Sequence, residues 1–301
     1  MQRSTLERLS KLRALEIRTR RLVDDSLAGA AHSVFKGRGM DFDEVREYSP
    51  GDEIRTIDWN VTARAGRAFV KKYSEERELT LLLAVDISAS NNFGSGPLAK
   101  RDLAAEVASV LAFSAIRNSD KVGLILYSDR LEQYVPPNKG RRHVLRIVND
   151  VLFHEPQGIG TDTVGALDVV NRVLKRRAVV FLISDFVSAD PAAGRPALRR
   201  AARQTNRRHD LIAIQIQDPR ERELPNVGVI ALEDAETGQL VELDTARPSI
   251  RERFKDLSVE RWMRLRSDLR ADGVDAVQLL ANARYIPTLQ SFFKSRGGAR
   301  I

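Results

Sequence analysis

The stretch Leu79-Thr80-Leu81-Leu82-Leu83-Ala84-Val85 runs straight into Asp86-Ile87-Ser88-Ala89-Ser90. An apolar run this short and nearly continuous is a strand buried on both faces, the habit of parallel sheets. Outward from it the chain alternates. Helical patterns over 98–117, 141–153, 163–175 and 192–207 separate strand candidates at 121–127, 178–184, 211–217 and 227–232. The C-terminal part continues with a helix over 250–271, an edge strand at 276–280 and a last helix over 286–296. Strands separated by helices of this length predict an α/β fold, a doubly wound and mainly parallel sheet with helices on both faces.

Before this region the chain has a different character. Leu6, Leu9, Leu12, Leu15 and Leu22 recur at spacings of three or seven among charges, which predicts an amphipathic helix over 5–27 that needs a surface to lie on. From 37 to 78, glycines, Pro50-Gly51 and alternating acids and bases predict short strands and turns and no helix. Two domains are expected, residues 1–78 as N-terminal helix and β-rich block and 79–301 as the α/β domain with a helical extension.

Composition sets limits on function. The 301 residues are 43% apolar, enough for a sizeable core. A net charge of +8 arises from 49 basic and 41 acidic residues, so the basic surface is mixed. Arginines such as Arg199, Arg200 and Arg203 recur on a predicted helix as on a solvated face, which argues against nucleic acid as the partner. The absence of cysteine excludes disulfides, thiol nucleophiles and zinc–thiolate sites. With no apolar run of membrane-span length and no signal-peptide core, the expected location is the cytoplasm.

In an open parallel sheet, ligands bind at the carboxyl ends of the strands. There the first buried strand ends in Asp86, with Ser88 and Ser90 able to converge on the same point, and the strand at 178–184 leads into Asp185. The loop Gly158-Ile159-Gly160-Thr161-Asp162-Thr163 adds hydroxyls just before a helix. Asp86, Ser88, Ser90, Thr161 and Asp185 are all hard oxygen donors, suited to Mg²⁺, Mn²⁺ or Ca²⁺ and not to zinc or copper. A carboxylate of another molecule is the natural further ligand. The plainer alternative is that the hydroxyls cap helices and the two acids pair with arginines.

With those residues in place, the chain resembles the von Willebrand factor A fold, a Rossmann-type sheet, and its metal-ion-dependent adhesion site over roughly residues 80–270. The resemblance implies that Ser88, Ser90 and Thr161 are hydroxyl ligands and that Asp86 and Asp185 act mostly through water. One departure is visible. The family often has Thr-Asp-Gly at the second acid, where this chain has Ser184-Asp185-Phe186.

The segment from Gly37 to Asn60, with Arg46, Pro50-Gly51-Asp52, Arg55 and Asp58-Trp59, resembles the signature of a bacterial family known as domain of unknown function fifty-eight, carried just ahead of a von Willebrand factor A-like domain. Read physically, Arg46, Asp52, Arg55 and Asp58 are placed for an ion-pair clasp, and Trp59 is expected to bury against the larger domain. The alternative is that Arg46, Arg55 and Arg64 form a recognition surface. The resemblance implies a partnership with a MoxR-type AAA+ ATPase in complex assembly or chaperone-like maturation.

No nucleophile motif surrounds His32, His143, His154 or His209, and Gly94-Ser95-Gly96 lacks the lysine and spacing of a phosphate cradle. The expectation is a binding protein without catalytic activity, a metal-dependent adaptor that docks an acidic residue of a partner protein. Its alternatives are a metal-dependent phosphoesterase and a basic nucleic-acid binder.

Overall fold

The computed structural model describes residues 2–23, 45–50, 57, 59–71, 78–187, 191–233, 238–282 and 285–298. The chain divides into two compact units, Met1–Phe35 with Leu79–Ile301, and Lys36–Glu78. Helix α1 (Gln2–Leu22) therefore belongs with the large unit, whereas the sequence reading grouped residues 1–78. Its cause is plain in the packing: Leu15 joins the core, Arg18 pairs with Glu106 at 2.7 Å and Arg141 with Glu16 at 2.7 Å.

In the small unit, β1 (Val45–Glu47) pairs antiparallel with β2 (Phe69–Lys71), Arg46 opposite Val70. Between them lies helix α2 (Trp59–Ala65), where short strands and turns were expected. Gly66, at φ +69°, ends it in the left-handed conformation that glycine adopts without steric cost. Thr62 then accepts the Phe69 N–H at 3.0 Å, fastening helix to strand. Trp59 is 67% exposed and so is not buried within its own unit. Asp52, Arg55, Asp58 and the Arg46 side chain lie outside the described residues.

The large unit is built on β3 (Thr80–Asp86), α3 (Lys100–Arg117), β4 (Lys121–Tyr127), β5 (Leu131–Asn138), α4 (Arg141–Phe153), α5 (Thr163–Val173), β6 (Val179–Ser184), α6 (Pro191–Arg208) and β7 (Asp210–Gln217). It continues through β8 (Val229–Glu233), β9 (Leu240–Asp244), α7 (Pro248–Ala271), β10 (Asp275–Leu280) and α8 (Tyr285–Gly298). The central sheet runs β10-β7-β6-β3-β4-β5, every neighbouring pair parallel except the antiparallel β5 at one edge. This is the expected doubly wound α/β sheet.

Two details differ from the expectation. The strand predicted at 227–232 is not in the central sheet; β8 forms a separate antiparallel hairpin with β9. Strand β5, which no sequence signal suggested, adds the antiparallel edge.

The apolar run of β3 is explained by its two faces. Leu81, Leu83 and Val85 enter a core with Leu103, Val107 and Val144, while Leu82 and Ala84 enter a second with Leu167, Val170 and Leu269. Full burial of each such leucine contributes roughly 1.5–3 kcal/mol. From β3 the chain winds outward to β4 on one side, and β6 returns to pair on the other. The crevice thus opens between the carboxyl ends of β3 and β6, the switch point of the sheet. Among the described residues, no helix is long and apolar enough to cross a membrane.

Candidate metal centre

Asp86 closes β3 and Asp185 follows the last residue of β6, so neighbouring strands deliver both acids to the crevice. Asp86 Oδ1 accepts the Ser88 N–H at 2.9 Å, and Oδ2 accepts the Ser184 hydroxyl at 2.7 Å. Ser90 donates to Asp185 Oδ2 at 2.8 Å, with the Ser88 and Ser90 hydroxyls 3.3 Å apart. Asn91 Nδ2 donates to Ser88 Oγ at 3.2 Å. Four of the five predicted residues therefore meet in one hydrogen-bonded group.

The loop after β3 turns at once into a short 3₁₀ helix, Ala89–Asn92. Two backbone bonds impose this path: Ile87 N to Tyr127 O at 2.9 Å and Ala89 N to Ile159 O at 3.0 Å. The second also ties in the loop that carries Thr161. Glu132 holds that loop from behind, accepting Gln157 N at 3.0 Å and Gly158 N at 2.8 Å. Gly158 presses against Ser128 and Asp129 so closely that a Cβ there would clash. Thr161 is half-buried on this loop, at the mouth of a cavity next to the acids.

The capping alternative fares poorly at two of its positions. Helix α5 is capped by Asp162, whose carboxylate accepts Gly165 N at 2.8 Å, and Ser88 makes no side-chain cap bond to the turn it precedes. Nor does an arginine hold Asp185. Its cation is Lys100, whose Nζ lies 2.8 Å from Asp185 Oδ2 and 2.6 Å from Glu221 Oε1.

Lys100, Glu221 and Ser184 were missed by the sequence reading. Lys100 opens α3 and is 0% exposed, yet in sequence it stands beside Arg101 and Asp102 like any charge at a helix start. Ser184 alone left a signal, as a hydroxyl directly before the second acid.

Burial governs the electrostatics. It pushes the Asp86 carboxyl up to about 7, and the charge of Asp185 adds to this against bonds from Ser184 and Ser88. Burial likewise raises Glu221, with the attraction of Lys100 only partly opposing it. For Lys100 itself burial favours the neutral form, but Asp185 and Glu221 outweigh it and keep the ammonium charged.

The donor set fits a hard divalent ion. Asp86, Asp185 and Glu221 set against the one ammonium of Lys100 leave two formal negative charges when all are ionised. Among the described residues no three His, Cys, Asp or Glu side chains converge to hold a metal by themselves, so an ion here depends on the hydroxyls of Ser88, Ser90 and Thr161. Mg²⁺ tolerates such a set because it keeps several of its waters.

Residues 44–262 match a family described as protein of unknown function DUF58. The uncharacterized protein Rv1480 of Mycobacterium tuberculosis is 31% identical over 287 residues, covering 95% of this chain and 88% of its own length. Among solved structures, the conserved hypothetical protein BatB from Bacteroides thetaiotaomicron matches with a TM-score of 0.47 at 15% identity, over 73% of this chain and 99% of that one. A von Willebrand factor type A protein from Catenulispora acidiphila matches with a TM-score of 0.37 at 12% identity, over 76% and 43%.

Proposed function

The chain belongs to the DUF58 family of proteins of unknown function, and from that premise we propose that it is a metal-dependent protein-binding adaptor. The observation that carries this reading is the buried oxygen cluster at the switch point, where Asp86 is 1% exposed and is joined with Ser184, Ser88, Ser90 and Asp185 in one hydrogen-bonded group. Ser88, Ser90 and Thr161 would hold Mg²⁺, or Mn²⁺ or Ca²⁺, with Asp86 and Asp185 behind them. When bound, the ion supplies an electrophilic open position for a partner's carboxylate.

Binding without turnover is the better reading of the same residues. Lys100 is held charged by two carboxylates and offers no base, and the position two residues after Asp86, where a phosphoesterase would place a second acid, is Ser88. The family resemblance supplies the partner in this proposal, a MoxR-type AAA+ ATPase, and the setting, complex assembly or chaperone-like maturation in the cytoplasm.

Affinity capture with wild type and Asp86→Asn, each in Mg²⁺ and in EDTA, tests the reading. An ATPase recovered only by wild type in Mg²⁺ is the expected result. A partner recovered equally by both proteins, or retained in EDTA, removes the metal from its recognition.

A further inference from the structure

Phe186 is one of two described non-glycine residues with positive φ, at +56°. Three hydrogen bonds pin the loop there: Phe186 N to Ser184 Oγ at 2.9 Å, Val187 N to Asp185 Oδ1 at 3.1 Å, and Gln215 Nε2 to Asp185 O at 3.0 Å. The backbone thus adopts a conformation that glycine would take without strain, while a large side chain is retained. Strain of that kind is kept where the side chain has a use.

The use is visible beside it. Phe186 walls a cavity of about 650 Å³ that opens next to the candidate metal centre and shares Thr161 with it. That volume is typical of a ligand site, roughly 300–1,000 Å³. Leu198 of α6 and Leu257 and Leu265 of α7 provide further apolar walls, with Leu257 left 42% exposed at the rim. Its charged lining residues are Asp162, Arg195, Glu260, Arg261 and Arg264. Arg195 is engaged by Asp268 at 2.6 Å and Arg264 by Glu260 at 3.3 Å, whereas Arg261 is exposed, with no ion pair among the described residues.

We propose that this cavity is the second half of the docking site and takes apolar side chains that flank the partner's metal-binding carboxylate. The proposal rests on the adaptor reading above. Its occupant is an acidic segment of a partner protein, leucine-like on either side of the acid, with Arg261 facing a further carboxylate of that segment. An acid without apolar neighbours would leave Phe186 and the α6–α7 walls wet, and burial of the leucines makes the difference in affinity.

Two labelled peptides, Gly-Leu-Asp-Leu-Gly and Gly-Ser-Asp-Ser-Gly, serve as probes against the full chain in Mg²⁺ and in EDTA. The leucine peptide is expected to bind wild type at least ~tenfold more tightly in Mg²⁺ and to shift the methyl resonances of Leu198, Leu257 and Leu265. Leu257→Trp, a filled rim that leaves the acids untouched, should bring the two peptides to parity. Equal Mg²⁺-dependent binding with unmoved methyls overturns the cavity and spares the metal centre. Leucine-selective binding that persists in EDTA with the methyls shifting upholds the cavity and overturns the metal reading. Binding of neither peptide overturns both.

Discussion

At the amino-terminal edge of the central sheet, Arg296 donates to Asp275 at 2.7 Å and also pairs with Asp210, and nearby Arg203 and Arg199 close on Asp272 at 2.6 and 3.1 Å. At the carboxyl edge, Lys100 pairs with Asp185 and Glu221, and among the described residues no cation stands beside Asp86. Both edges bury acids, but with opposite results. Burial would raise Asp272, yet its bonds from Arg203 and Arg199 win and hold it below the usual carboxylate range, while Asp86 is driven up. At the arginine edge each of these acids has an arginine partner, whereas at the lysine edge the described residues set three carboxyls against one ammonium, which makes it the candidate site.

The largest effect expected comes from removing the cation at each edge. Lys100→Met strands Asp185 in the interior and unpairs the partly exposed Glu221, and should cost about 3–5 kcal/mol in urea unfolding. Arg296→Met should cost less, because Asp275 is 44% exposed and can be hydrated. Millimolar Mg²⁺ should then raise the melting temperature of Lys100→Met and leave Arg296→Met unmoved. Equal losses with equal Mg²⁺ responses would break the comparison.

Next comes a change of opposite sign. Because burial lifts the Asp86 pKa from 3.8 to about 7, its ionisation destabilises the fold progressively as pH rises through that window. Asp86→Asn should therefore be neutral near pH 4 and, in EDTA, more stable than wild type by on the order of 4 kcal/mol above pH 7. Asp272→Asn should lose stability instead, and a gain there would contradict the contrast drawn between the edges.

A smaller effect sharpens the arginine edge. His209 sits directly before β7, and burial, with Arg208 and Arg177 adding to it, lowers its pKa from 6.5 to about 4. A depressed histidine contributes stability that is present above pH 6.5 and lost as pH falls through the window to about 4. His209→Leu should flatten that acid limb by on the order of 1–2 kcal/mol in pH-resolved denaturation. An unchanged limb would show that this edge does not disfavour the imidazolium. The smallest change is at Phe186, where Phe186→Gly relieves the positive φ but loses packing against the core, for a net shift within ~1 kcal/mol. A larger loss of stability would mean that Phe186 is held chiefly for the core.

How much could be read from the sequence follows from where each residue type is ambiguous. The continuous apolar strands β3, β6 and β7 were legible because burial on two faces leaves only one pattern. Strand β5 was not, since Glu132, Gln133, Pro136 and Pro137 disguise it, and prolines are tolerated there only because it is an edge. Strand β8 betrays itself in hindsight, its alternating exposure unlike a central strand. Helix α2 was hidden because Trp59, Val61 and Thr62 suit a strand as well, and seven residues give periodicity little room. At the site, Asp86, Ser88, Ser90 and Asp185 were legible because strand ends converge at the switch point. Lys100 and Glu221 were not, because a charge at a helix start looks solvated until the folded chain closes over it.

Calorimetric titration of Mg²⁺ into wild type and Asp86→Asn at pH 8 tests the central claim most directly. The expected result is saturable binding of one ion to wild type, weakening as pH falls through about 7, with no measurable heat for the variant. Identical heats from the two proteins, or none from either, would contradict it.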